Sequence, residues 1–144
     1  MLFRSKDCKE VTAKLKFISR LNKGDKINVR NMFIQQQNSW LDKISRSIYH
    51  VDDRSNTLTF LTQTLTEAIE LFYTFIQNTN DAYSQTQARN LIADVRSTKK
   101  GMINLKDTYA DDVMFVCQID ALIDDTEAKL DEIRDKYQIG RAHV

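Results

Sequence analysis

The chain contains no proline and only three glycines in 144 residues. Proline breaks helix interiors, and proline and glycine together supply most tight turns. A chain nearly free of both has little irregular backbone, so helix is the dominant expectation. The same scarcity excludes collagen-like and proline-rich segments and glycine-rich phosphate loops. With 42% hydrophobic and 28% charged residues the chain fits a soluble folded domain, not a disordered one. The length suits a single domain that buries about two-thirds of its unfolded surface.

Apolar spacing divides the chain into segments. Cys8, Val11, Leu15, Ile18 and Leu21 recur at steps of three and four, which predicts a helix over 6–22, with Gly24 placed to end it. Over 25–37, Ile27, Val29, Met32 and Ile34 follow neither the helical nor the strand period, so a short strand or extended arm is expected. Residues 38–49 read as a short helix capped by Asn38 or Ser39 and carrying Trp40, Leu41, Ile44 and Ile48. A polar break follows at His50-Val51-Asp52-Asp53-Arg54.

Ser55 or Asn56 can then cap a long helix to Asn78, with Leu58, Leu61, Leu65, Ile69, Phe72 and Ile76 on its apolar side. Helix resumes through Tyr83, Ala88, Leu91, Ile92 and Val95. Gly101, ahead of Met102, Leu105 and Tyr109, either kinks this helix or separates two. Asp111 or Asp112 begins the last helix, with Val113, Val116, Ile119, Ile123, Leu130 and Ile133 as its stripe. The expected architecture is an all-α antiparallel bundle of four or five helices, with a short extended or irregular segment near residues 25–37. The helix over 56–78 is expected at its centre, against those over 83–99 and 112–137. No apolar run approaches the ~20 residues that span a bilayer.

The two ends read differently. Leu2-Phe3-Arg4-Ser5 can be encoded by CTC TTC CGA TCT, and Ile139-Gly140-Arg141-Ala142 by ATC GGA AGA GCA. ATCGGAAGAG is the reverse complement of CTCTTCCGAT. Both ends thus resemble one sequencing-adapter element read in opposite directions. Residues 1–5 and 139–144 are expected to be non-native, leaving one helical domain over 6–138 that belongs to a longer protein. Without Arg4 and Arg141 the formal charge changes from +1 to −1.

Candidate chemistry is sparse. Cys8 and Cys117 lie far apart with no CxxC partner, and both fall on apolar stripes, so both are expected to be buried thiols. A reducing, intracellular compartment fits. His50 lies near Asp52 and Asp53, but no nucleophile stands at a recognisable spacing. Asp111-Asp112 and Asp124-Asp125 lack the loop glycine and alternating oxygens of a calcium site. The Glu-x-x-His pattern of carboxylate metal bundles is missing. No catalytic residue, cofactor site or metal ligand set is assigned, and none is expected.

Charge is distributed unevenly. Residues 6–30 hold eight basic and three acidic residues; residues 111–138 hold nine acidic and three basic. One explanation is internal: the basic first helix packs beside the acidic last helix. The other is an anionic partner that contacts Lys9, Lys14, Lys16, Arg20, Lys23, Lys26 and Arg30. Aromatics for base stacking are few there, with Phe17 and Phe33 nearest. Trp40, Tyr49, Phe60, Phe72, Tyr73 and Phe75 stand at helical spacing and are expected mainly in the core.

Two stretches resemble uncharacterised helical proteins of large (giant) DNA viruses. One runs through Lys26-Ile27-Asn28-Val29-Arg30, Ile44-Ser45-Arg46 and Asp53-Arg54-Ser55-Asn56-Thr57-Leu58. The other is Gly101-Met102-Ile103-Asn104-Leu105-Lys106-Asp107-Thr108-Tyr109, followed by Asp111-Asp112. The resemblance implies a viral or environmental origin and an all-helical fold, and brings no activity or site residue. The functional expectation is a non-catalytic helical interaction or scaffold module with a protein partner. Nucleic-acid association through the basic start is the alternative. A further alternative is a fragment of an enzyme whose active site lies outside this segment.

Overall fold

The computed structural model describes residues 6–79 and 81–137. The adapter-like ends lie outside the described residues, as does Gln138. Five helices follow one another: α1 (Lys6–Lys16), α2 (Lys23–Tyr49), α3 (Arg54–Thr79), α4 (Ala82–Thr108) and α5 (Val113–Tyr137). A single 3-10 turn at Ile18–Arg20 stands between α1 and α2. No strand occurs among the described residues. The four long helices have 25 to 27 residues, each about 40 Å from end to end.

The chain runs up and down. Phe33 of α2 stacks on Phe75 of α3 at 4.0 Å, and Trp40 Nε1 donates to Glu67 Oε1 at 3.3 Å, so these helices are antiparallel. Helix α3 lies at the centre, as its pattern predicts, and touches all four others. Around it run α1, α2, α4 and α5, each in contact with the next; α5 and α1 do not pack on each other, and the ring stays open there. The core centres on Phe33, Leu61, Leu65, Leu71, Phe72, Phe75 and Ile76, all at most 2% exposed. Each such side chain contributes about 1.5–3 kcal/mol when fully buried.

Threonine is a mediocre helix former, yet α3 stays helical through its Thr-rich first half. Thr62 and Thr66 donate their hydroxyls to the carbonyls of Leu58 and Thr62. Thr57 and Thr64 are buried in the packing face.

Several expectations need correction. Residues 25–37 are neither strand nor arm: they form the first half of α2, which continues to Tyr49 without a new start at Asn38 or Ser39. Its buried stripe is Val29, Phe33, Gln37, Trp40 and Ile44, steps of four, four, three and four. Gln37 occupies a stripe position where apolar residues are the rule, while Ile27 is half exposed, so the apolar letters here show no helical period. Gly24 ends no helix. It stands in the first turn of α2, which Asn22 caps by accepting from the Asp25 amide at 2.8 Å.

The cap of α3 is Asp53, which accepts from the Asn56 amide; neither Ser55 nor Asn56 has that place. Cys8 is buried but Cys117 is exposed. The stripe of α5 runs through Phe115, Ile119, Leu122, Ile123 and Thr126, and Cys117 points to the other side with Val113 and Met114. Asp112 caps α5, its Oδ1 accepting from the Phe115 amide. Gly101 does not divide α4, which runs through it unbroken.

Candidate interaction surface

Part of the acidic face of α5 is matched inside the molecule, but not by the first helix. Arg96 of α4 reaches Glu127, at 3.3 Å, and Asp131. Lys106 of α4 pairs with Asp120, and Arg54 at the start of α3 pairs with Asp112 at 2.8 Å. The expectation that α1 packs beside α5 is therefore wrong. Helix α1 packs on α2 and α3, and the cations facing α5 come from the neighbours that touch it. The basic N-terminal part is left without that acidic counterpart.

The seven basic candidates do not form one surface. Lys23, Lys26 and Arg30, spaced by three and four, share a face of α2 and border a shallow pocket of about 340 Å³ with Ile27, Asn31 and Tyr83. Tyr83 comes from the first turn of α4. Arg30 anchors this corner. Its guanidinium lies 5.5 Å from the centre of the Tyr83 ring and binds the Asp81 carboxylate. Asp81 also caps α4, its Oδ1 accepting from the Ser84 amide at 2.8 Å. Burial pushes the Asp81 carboxyl up, but the Ser84 hydrogen bonds and Arg30 outweigh this and hold it below its ordinary value.

The remaining candidates point elsewhere. Lys14 pairs with Glu10 on its own helix at 3.2 Å, and Arg20 lies over Phe17. Lys16 opens onto a different groove, between α1 and α5. Lys9 is exposed on α1. Among the described residues Lys9, Lys16, Lys23 and Lys26 form no ion pair with a carboxylate.

Asp81 and Tyr83 belong to the corner but were not singled out for it from the sequence. The α2 spacing was readable, but nothing local shows that the start of α4 lies beside the start of α2. Of the six aromatics at helical spacing, Trp40, Phe72 and Phe75 are buried, Phe60 and Tyr73 half-buried, and Tyr49 is 77% exposed.

His50 ends α2, its own amide donating to the Arg46 carbonyl, and Asp53 is used as a cap. Among the described residues no three His, Cys, Asp or Glu side chains converge as a metal site requires. No helix there is long and apolar enough to cross a membrane. The chain matches no protein-family model, no curated protein and no solved structure.

Proposed function

We propose that this chain is a non-catalytic helical interaction module that engages an acidic protein segment through the corner formed by the first turns of α2 and α4. The observation that carries this reading is the unmatched charge of that corner. Lys23 and Lys26 have no carboxylate partner among the described residues; α2 does not pack on the acidic helix, whose Asp112, Asp120, Glu127 and Asp131 pair with α3 and α4. The capped N-terminus of α2 adds positive potential at the same place. Arg30, tied to Asp81 and Tyr83, fixes the start of α4 beside the two lysines. A viral origin belongs to the same proposal and rests on the two stretches of resemblance.

Tyr83 favours a second reading. Its ring is 48% exposed beside three cations, the pairing that single-stranded nucleic acid uses for stacking and phosphate contact. Fluorescence anisotropy separates the two, with a labelled Glu-rich peptide and a labelled single-stranded oligonucleotide titrated at low and high salt. The protein reading expects the peptide to bind more tightly, with binding lost in Lys23→Glu/Lys26→Glu and retained in Lys9→Glu. Tighter oligonucleotide binding that weakens steeply with salt favours the second reading. No binding of either probe at low salt overturns both.

A further inference from the structure

Among the described residues seven large apolar side chains are exposed, and they gather at the two ends of the bundle. Phe17, Ile27 and Tyr83 stand at the end where α2 and α4 begin. Tyr49, Val113 and Met114 stand at the opposite end, where α2 finishes and α5 begins, and Ile103 lies within two turns of that end on α4. Val113 and Met114, 69% and 72% exposed, share a face of α5 with the exposed Cys117, so the patch is continuous. Each end sets its apolar groups beside charge. Ile27 and Tyr83 line one hollow with Lys23 and Lys26, and Met114 lines another with Asp52 and Asp53.

The two charges are opposite. Residues 17–30 and 78–84 hold four basic residues and two acidic ones. Of the two acids, Asp81 is bound to Arg30 and Asp25 is not among the residues that line the hollow. The end of α5, on the same side, is balanced, with Glu132 and Asp135 against Arg134 and Lys136. At the opposite end, residues 50–54 and 106–112 hold five aspartates against Arg54 and Lys106. Arg54 is paired with Asp112, and Lys106 with Asp120 further along α5. Asp52, Asp53 and Asp111 form no ion pair among the described residues, and Lys43, Lys99 and Lys100 stand about two turns back. Two basic ends repel each other, as do two acidic ends, so the pairing that electrostatics favours is basic on acidic.

We propose that this chain associates with further copies of itself end to end, the basic corner of one copy seated on the acidic end of the next. The inference rests on the reading of that corner as a site for an acidic protein segment, and it names the segment: Asp52, Asp53 and Asp111, with Val113 and Met114 beside them. Lys23 and Lys26 meet the aspartates, and the two apolar groups cover Ile27 and Tyr83. Helix α2, with 27 residues, carries the two ends about 40 Å apart. The contact is therefore heterologous, and each added copy presents a fresh end, so the assembly extends instead of closing as a pair.

The test is sedimentation velocity of the full chain over a range of protein concentrations at low and high salt. At low salt the mean mass should rise past the dimer with concentration, and at high salt it should fall towards the monomer. Lys23→Gln/Lys26→Gln neutralises one end and Asp52→Asn/Asp111→Asn the other. None of the four residues is buried or caps a helix, so both variants should keep the wild-type circular dichroism. Each variant alone should stay monomeric. Their equimolar mixture should form a two-chain species and nothing larger, joined through the one charged end that each retains. A wild-type mass that stops at the dimer, or a mixture that does not pair, overturns the proposal. So does a chain that stays monomeric at low salt; if it still binds a Glu-rich peptide, the reading of the corner stands, and if it binds none, both fall.

Discussion

Two residues of α2 show how the centre of the molecule is held. Phe33 is fully buried with its ring flat against Phe75, and the pair ties α2 to α3 at the level where α1 also lands. Phe33→Ala should cost about 3–5 kcal/mol, read from chemical denaturation, because it removes a buried ring and leaves its stacking partner facing a cavity. Gln37, one turn further on, behaves in the opposite sense. Its side chain is 6% exposed and its Nε2 has no hydrogen-bond partner among the described residues. An unsatisfied buried donor costs about 1–3 kcal/mol. Gln37→Met, similar in volume and apolar, should therefore stabilise the protein by about 1 kcal/mol; a loss of stability would show that the amide has a partner in solution. The same residue hid the helix from the sequence. With glutamine inside the stripe and Ile27 outside it, the apolar letters of 25–37 carried no period, although the packing face is regular.

Among the elements, α4 poses the sharpest question, because it keeps a glycine in its interior. Glycine costs a helix about 1 kcal/mol relative to alanine. Here it makes room. A Cβ at Gly101 would lie 2.9 Å from Cδ1 and 3.1 Å from Cγ2 of Ile48, on the last turn of α2. The Cδ1 end can turn away, but the Cγ2 branch is fixed near the backbone. Gly101→Ala should destabilise the native protein and should become stabilising, by up to about 1 kcal/mol, in an Ile48→Ala background. A gain in both backgrounds would mean that α2 and α4 are not held this closely. From the sequence the glycine signalled a kink or a break; its use is to let a neighbouring helix approach, which only the packing shows. Helices α3, α4 and α5 were legible because long apolar stripes survive one misplaced letter. Within α5 the adjacent letters Val113 to Cys117 are all apolar, so pattern alone did not say that Phe115 faces in and Cys117 out.

For the molecule as a whole, electrostatics sets the pH range of stability. Arg54 and the Phe115 amide hold the Asp112 carboxyl below its ordinary value, as the Ser84 hydrogen bonds and Arg30 do for Asp81. A carboxylate whose folded pKa is depressed contributes stability above its unfolded pKa. That contribution is lost as pH falls through the folded value. Lys106 shifts the other way, raised chiefly by its hydrogen bond to Asp120. Its contribution is full below the unfolded lysine pKa and is lost as pH rises through the folded one. Denaturation midpoints should thus be flat near neutrality and fall at both extremes. Asp112→Asn should flatten the acid branch and leave the alkaline branch unchanged. The charge asymmetry behind these pairs was plain in the sequence, but its resolution was not. Composition can count an acidic helix and a basic one, but which helices adjoin is decided by the bundle. The basic corner was legible only as a spacing on α2, and Asp81 and Tyr83 joined it through tertiary contact.

The open ring around α3 also bears on how the protein comes apart. Helix α1 has 11 residues against 25 or more for the others, a 3-10 turn separates it from α2, and one of its flanks faces the groove. It is therefore the cheapest unit to detach, held among the described residues chiefly by Cys8, Val11 and Leu15, with Ile18 in the turn that follows. Native-state hydrogen exchange should show the α1 amides exchanging through a sub-global opening while α3 exchanges only with complete unfolding. In that opened form the buried Cys8 thiol becomes reachable, so its alkylation rate, set against that of the exposed Cys117, would serve as a clock for the undocking of the first helix.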